Sequence, residues 1–216
     1  MKFRNSYTMF LATMILAGTL SVAGCAKTGM QRSTKTGTTM QSVESDIKQV
    51  IAQVDVTGAS LQELIRPGQP DAKKAFKQYT DNVDKMQGME KRFFEHSDKM
   101  RVQGKEYFEE WRTDGNTYTN PQIQALSEQR RADLSADFVR ISEASVGVKG
   151  SFNAYMSDLK EIQNYLSNDL TPKGVEAITP IAQQAVMDGT SLQAAIYPVL
   201  NAVSNARGEL AQGGTK

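Results

Sequence analysis

The chain has 216 residues, with 25 lysines and arginines against 24 aspartates and glutamates. This near balance provides no basic stripe of the kind that releases counterions from a phosphate backbone, so nucleic acid is excluded as an expected partner. The length is enough for one domain with its own core, and the 39% share of apolar residues suits an elongated rather than a globular shape.

Residues 1–24 have the pattern of a secretory signal. Lys2 and Arg4 give a positive start, and an apolar run between Met9 and Val22 follows. The run is interrupted by threonine and serine and is shorter than the roughly 20 apolar residues that span a bilayer as a helix. We therefore predict that this segment is removed on export.

The end of the signal resembles the lipobox of bacterial lipoproteins. Val22 is aliphatic, Ala23 and Gly24 are small, and Cys25 stands where such proteins carry diacylglycerol on sulfur. Because Cys25 is the only cysteine, no disulfide within the chain is possible, and an unused exported thiol would be a liability. The alternative is an ordinary A-x-A-like cleavage that leaves Cys25 as a free thiol. We predict lipidation of Cys25, since each buried methylene contributes about 0.8 kcal/mol to membrane binding.

Ala26 bears on the choice of membrane. In Gram-negative lipoproteins an aspartate after the cysteine commonly signals retention in the inner membrane, and Ala26 is not that residue. The resemblance therefore implies a cell-envelope location on the outer membrane, facing the periplasm.

The segment after Cys25 is typical of a linker. From Ala26 to Thr38 it reads AKTGMQRSTKTGT, without periodic apolar residues, which predicts a flexible coil about 20 Å across. We predict an acylated cysteine and disordered tether over residues 25–38, a folded domain over 39–210 and a disordered tail over 211–216.

Apolar residues then recur at alternating steps of three and four, the heptad pattern of a helix that packs along one face. The first such seam consists of Met40, Val43, Ile47, Val50, Val54, Thr57, Leu61 and Leu64. The segment RPGQPD, residues 66–71, predicts a break. A second helix is expected from Asp71 to Arg112, with an aromatic-rich seam.

A third helix is predicted to begin at Asn120 as the cap and Pro121 as the first helical residue, and to run to Asn168. Because a short turn at 114–119 joins it to the second helix, the two should lie antiparallel. Thr171 and Pro172 repeat the same start for a last helical region. Its seam includes Val175, Ile178, Ile181, Ala185, Leu192, Ile196, Val199, Leu200 and Val203.

Pro180, Gly189 and Pro198 should kink this last region or divide it near Asp188, because proline removes a backbone donor and clashes with the preceding turn. No alternation of period two is long enough to predict a strand. The predicted fold class is all-α: an elongated antiparallel helical bundle with a long central helical hairpin, coiled-coil-like.

Tyr107 to Ala144, which includes YFEEW and NTYTNPQIQALSEQRRADL, resembles a family of exported bacterial proteins. The likeness continues with Tyr165, Leu166, Leu170 and Thr171. That family is a helical, often lipid-anchored domain of unknown function. The resemblance implies a helical lipoprotein and carries over no activity and no catalytic residues.

The residues that could support chemistry are few. His96 is the only histidine, which excludes a pair of histidine metal ligands and leaves any serine or cysteine mechanism one candidate base. It lies beside the seam in FFEHSDKM, where acids and bases are interleaved as on a solvated helix face. We predict a seam-edge histidine and no catalytic, cofactor or metal site.

Polar residues also interrupt the seams: Glu90, Ser97, Ser127, Arg130 and Ser145. A buried polar pair across the hairpin, for example one with Glu90, would fix the register. The alternative is a small polar cavity for a ligand.

Two further groups of residues stand out in the long helices. Gly104, Gly147 and Gly150 allow close backbone approach or local bending. The aromatic patch near the hairpin tip is expected to be core or to anchor a partner, and consists of Phe93, Phe94, Tyr107, Phe108 and Trp111.

These features favour a non-enzymatic lipoprotein of the cell envelope, whose hairpin projects from the membrane and engages an unidentified protein partner. Self-association through exposed seams stays open. The alternative is a module that binds lipid or a small apolar ligand between the hairpin and the last helices. An enzyme is the third hypothesis and has the least support.

Overall fold

The computed structural model describes residues 28–212, and over this range the chain forms five helices and no strand. They are α1 (Gly29–Leu64), α2 (Ala72–Gly115), α3 (Pro121–Ala144), α4 (Val148–Asn168) and α5 (Pro172–Gln212). The all-α helical bundle is confirmed. The predicted signal and Cys25 lie outside the described residues.

The bundle has four antiparallel legs, in which α3 and α4 together form the third. The direction of α1 and α2 follows from two contacts: Thr39 donates to Gln103 at 2.9 Å, and Gln53 donates to Asn82 at 3.3 Å. As the residue number increases along α1, that of its partner on α2 decreases. Each leg contacts the legs before and after it, and α5 closes the bundle against α1.

The same logic orients the other legs. In each pair of legs a second contact lies beside the one given below: Phe93 of α2 stacks on Phe152 of α4, and Arg207 of α5 pairs with Glu44 of α1. Tyr79 of α2 donates to the carbonyl of Leu159 on α4 at 2.6 Å. Gln193 of α5 donates to the carbonyl of Ile51 on α1 at 3.0 Å. The hairpin predicted at the centre of the protein consists of α2 and the α3–α4 leg. Since α2 contacts α1 more extensively than it contacts α3 or α4, the central, coiled-coil-like character of this hairpin is not confirmed and stays a prediction.

The predicted seam of α1 is confirmed: all of its members are buried in the described structure. Most seam residues of the later helices are buried as well, because the alternating spacing keeps them on the face that meets two neighbouring legs. Two exceptions are Ile181 and Ile123, which are 53% and 49% exposed; Ile123 was expected to be the first seam residue of the third predicted helix.

The predicted tether is wrong for residues 29–38, which belong to α1. Thr28 and Gln31 form a capping box, with Gln31 N donating to Thr28 Oγ1 at 3.3 Å and Thr28 N donating to Gln31 Oε1 at 3.1 Å. Ser33 donates to the carbonyl of Leu210, and Thr36 is 2% exposed. This polar segment is helical because neighbouring helices supply its contacts.

The predicted single helix from Asn120 to Asn168 is also wrong, because the backbone leaves the helical path over residues 145–147. Ser145 ends α3, and its hydroxyl donates to the carbonyl of Ile141 at 2.7 Å. Gly147 then adopts φ 85°, in the left-handed region that glycine tolerates, and starts α4.

The last leg is more continuous than predicted. α5 is a single helix, so the division expected near Asp188 is wrong. Pro180 and Pro198 lie inside it. Gly189 is buried, and a Cβ there would lie 3.0 Å from Val54 Cγ1, so packing against α1 holds the helix together where its local sequence is weak. The helix runs to Gln212, so the first two residues of the predicted tail are helical too.

Candidate functional site

An apolar groove lies where the third leg is broken, between α2 and the α3–α4 junction. Its volume is about 490 Å³, within the range of small-molecule sites. The apolar side chains that line it are Val43, Phe93, Phe94, Met100, Phe108, Phe138, Val139, Ile141, Val148 and Val199. Because Val43 belongs to α1 and Val199 to α5, the floor of the groove is the core of the bundle.

The break in the third leg places side chains from two helices along one wall. The buried seam of α3 ends at Ile141 and that of α4 begins at Val148, with the left-handed Gly147 between them. Both side chains line the groove, together with Ser142 and Ser145 of the junction. The junction therefore contributes part of one wall of the groove.

Phenylalanine rings form the walls. Phe94 contacts Phe152 edge-on with ring centroids 5.6 Å apart, and Phe108 contacts Phe138 edge-on at 5.0 Å. Edge-to-face pairs of this kind contribute roughly 0.5 to 1.5 kcal/mol beyond their buried area. The walls are thus held in place by ring packing on the α2 and the α3–α4 sides.

Gly104 makes one of these contacts possible. A Cβ at this position would lie 2.5 Å from Phe138 Cε1, which is closer than any side chain allows. Glycine therefore lets the ring lie directly on the backbone of α2. The close approach to the backbone at Gly104, one of the two roles predicted for this glycine, is thereby confirmed.

The charged residues that line the groove are mostly cationic. Lys105 and Lys149 are exposed. Arg101 pairs at 3.2 Å with Asp98, the only carboxylate among the described residues that line the groove. The groove thus combines an apolar interior with an excess of positive charge at its edge. This arrangement suits a ligand with an apolar body and an anionic group.

His96 lies at the α1–α2 interface. Its Nδ1 is 2.5 Å from Asp46 Oδ2, and Arg92 Nε is 2.9 Å from Asp46 Oδ1. The Asp46 side chain is 5% exposed and that of His96 is 37% exposed, which agrees with a seam-edge histidine. The cluster ties α1 to α2. The role of Asp46 was not predicted from the sequence, although its position directly before the seam residue Ile47 indicates that it lies at the edge of the buried face.

The polar seam residues of α3 take three different roles. Ser127 accepts from Trp111 Nε1 of α2 at 3.0 Å. Arg130 donates to the carbonyl of Glu209 on α5 at 2.8 Å and pairs with its carboxylate. Ser145 instead caps its own helix. Of these three residues, Ser127 and Arg130 make polar contacts with neighbouring legs and Ser145 does not.

Glu90 of α2 was expected to pair across the hairpin. Burial raises its pKa above the ordinary value, and the charge of Lys160 on α4 partly offsets this. A carboxylate and an ammonium group thus influence each other across α2 and α4. Glu90 does not line the groove described above, whereas Ser97 and Ser145 do.

A carboxyl pair lies between α4 and α5. Burial raises the pKa of Asp158, and a hydrogen bond to Asp188 together with the negative charge of that residue raises it further. The negative charge of Glu161 adds to the effect. Asp158 therefore ionises less readily in the folded state than a solvated carboxyl does.

Residues 28–212 contain no cluster of three or more potential metal ligands. Within the same range, no helix has the length and apolarity that crossing a bilayer requires. The site residue predicted from the sequence, Cys25, precedes this range.

No family model, curated protein or solved structure matches this chain. The resemblance to an exported helical family of unknown function therefore stays a prediction.

Proposed function

We propose that this chain is a lipoprotein of the bacterial cell envelope, anchored by acylated Cys25 and acting by protein interaction rather than catalysis. The observation that supports the anchor is the sequence Val22-Ala23-Gly24-Cys25 directly after an apolar run, with Cys25 the only cysteine. The lipobox resemblance favours the outer membrane, on its periplasmic side.

The interaction surface that we propose includes the groove and its edge. Val139 is 52% exposed and Val146 is 82% exposed, and both lie at the α3–α4 junction. Exposed apolar side chains next to an apolar cavity are typical of a surface that binds a partner.

Membrane fractionation of cells tests the anchor. The wild-type protein should sediment with envelopes, and the Cys25→Ser variant should appear in the soluble fraction, because a single hydroxyl replaces the acylated sulfur. A Cys25→Ser protein that sediments unchanged would contradict the anchor.

A site-specific photo-crosslinker tests the interaction. Placed at Val146, it should yield one discrete adduct in cells, while the same group at Lys77, an exposed position on α2 with a 76% exposed side chain, should yield none. Equal adducts at both positions, or none at either, would count against a specific partner at the junction.

The groove supports a second candidate function, the binding of an amphiphile with one apolar chain and an anionic head. The apolar lining would hold the chain, and Lys105 and Lys149 would attract the head group. Native mass spectrometry with palmitate as the probe tests this: a one-to-one complex should form. It should weaken in Lys149→Glu and persist in the matched control Lys77→Glu. A protein that stays bare in all three would remove this candidate.

A further inference from the structure

Three segments of the chain meet at one end of the bundle: the start of α1, the α2–α3 turn and the end of α5. Arg32 Nη2 of α1 is 2.7 Å from Asp114 Oδ2 at the end of α2. Ser33 donates to the carbonyl of Leu210 near the end of α5 at 3.3 Å. We call this the proximal end, because Thr28, three residues after Cys25 in the sequence, caps α1 here.

The chain between Cys25 and the bundle is short. Thr28 caps α1, so only Ala26 and Lys27 separate it from the cysteine. Three residue steps span at most about 10 Å, whatever their conformation. A lipid group on Cys25 would therefore hold the proximal end within about 10 Å of the site of insertion.

The proximal end exposes apolar side chains at the start of α1, in the α2–α3 turn and at the start of α3. Met30 at the start of α1 is 71% exposed, and Tyr118 in the α2–α3 turn is 41% exposed. On α3, Ile123 is 49% and Leu126 is 72% exposed, and their spacing of three places them on the same face. These four exposed apolar side chains lie on the segments nearest to the point where the anchor would be attached.

We propose that the proximal end rests in the lipid leaflet, with Met30, Tyr118, Ile123 and Leu126 inserted at the level of the head groups. This inference rests on the proposed lipidation of Cys25. Tyrosine suits this position, since its ring is apolar and its hydroxyl stays wet. The occupant of the surface is thus phospholipid, which the anchor already supplies at this distance.

The orientation of the protein follows. The α2–α3 turn lies at the membrane, and the α1–α2 and α4–α5 loops are farthest from it, because the legs are antiparallel. With 44 residues in α2, that distance is about 66 Å at roughly 1.5 Å per residue. This proposed orientation is the opposite of the sequence-based hypothesis that the α2–α3 hairpin projects from the membrane.

Single-cysteine labelling of the full acylated protein tests the proposal. Because Cys25 is the only native cysteine and its sulfur would be alkylated, a cysteine introduced by Leu126→Cys or Lys73→Cys is the only free thiol. Lys73 is exposed in the first turn of α2, at the opposite end. Each variant carries the same fluorophore and is reconstituted into vesicles of phosphatidylethanolamine and phosphatidylglycerol with a brominated acyl-chain fraction.

The expected result is quenching several-fold larger at position 126 than at position 73, with both variants bound to the vesicles and equally helical by circular dichroism. Equal quenching at the two positions, or more at position 73, would overturn the proposal while leaving the anchor intact. Flotation of the vesicles shows whether the two variants are bound. If neither variant floats with the vesicles, the proposed lipid anchor is wrong, and this inference, which depends on it, is wrong as well.

Discussion

Replacing Gly147 by alanine tests the α3–α4 junction that lines the groove. Gly147 has φ 85°, and a Cβ there would meet nothing within 4 Å, so the cost of the substitution is conformational rather than steric. A left-handed conformation costs a residue with a Cβ about 1 to 2 kcal/mol. We therefore expect Gly147→Ala to lower the free energy of unfolding by that amount.

Gly150→Ala is the matched control, three residues further along. Its Cβ would also meet nothing within 4 Å, but Gly150 lies inside α4. Alanine in a helix is favoured over glycine by up to about 1 kcal/mol, so this variant should be more stable than the wild type.

Urea unfolding of the bundle, followed by far-ultraviolet circular dichroism, measures both effects. The two variants should shift the midpoint in opposite directions and differ by roughly 2 kcal/mol, the sum of the two conformational terms. If residues 120–168 formed one continuous helix, both substitutions would stabilise it. Stabilisation by Gly147→Ala would therefore refute the junction.

Three further experiments test the packing and the charges of the bundle. Phe152 is fully buried, so Phe152→Ala should reduce the free energy of unfolding by about 3 to 5 kcal/mol in urea; a loss within about 0.5 kcal/mol, as at a surface site, would contradict the ring packing. A double-mutant cycle of Asp46→Ala and His96→Ala should give a coupling of about 0.5 to 3 kcal/mol, whereas strictly additive losses would show that the 2.5 Å contact does not form. Because burial and Asp188 raise the pKa of folded Asp158, its ionisation destabilises the fold above that pKa. Asp158→Asn should therefore stabilise the protein at neutral pH by less than about 1 kcal/mol, and the gain should vanish below the ordinary carboxyl pKa of 3.8; a gain that persists in acid would contradict this assignment.

The parts of the fold that could be predicted from sequence are those that local chemistry determines. Asn120 caps α3 by accepting from Gln122 N at 2.9 Å, and Pro121 is the first helical residue, as expected. Thr171 accepts from Gly174 N at 3.1 Å directly before Pro172. The apolar seams were predictable because burial follows helical periodicity.

The errors arose where contacts with other helices outweigh local preference. The polar residues after Thr28 read as a linker, yet α2 and α5 supply partners for Arg32, Ser33 and others. Pro180 was expected to contribute to a division of α5, but the helix continues because its buried face packs against α1 and against the α3–α4 leg.

The groove could be predicted only in part. Its aromatic residues and Gly104 were recognised in the sequence, but Gly147 and Gly150 looked alike there. Only the structure shows that Gly147 has a positive φ and Gly150 does not, and that difference places the junction. The cations at the edge were not distinguishable from ordinary charges on a solvated helix face.

Intact mass spectrometry of the protein purified from envelopes tests the central claim most directly. The account predicts a mature chain that begins at Cys25 and carries the added mass of diacylglycerol, with no reactive thiol. A chain that begins at another residue, or that retains a free Cys25 thiol while still sedimenting with membranes, would contradict it.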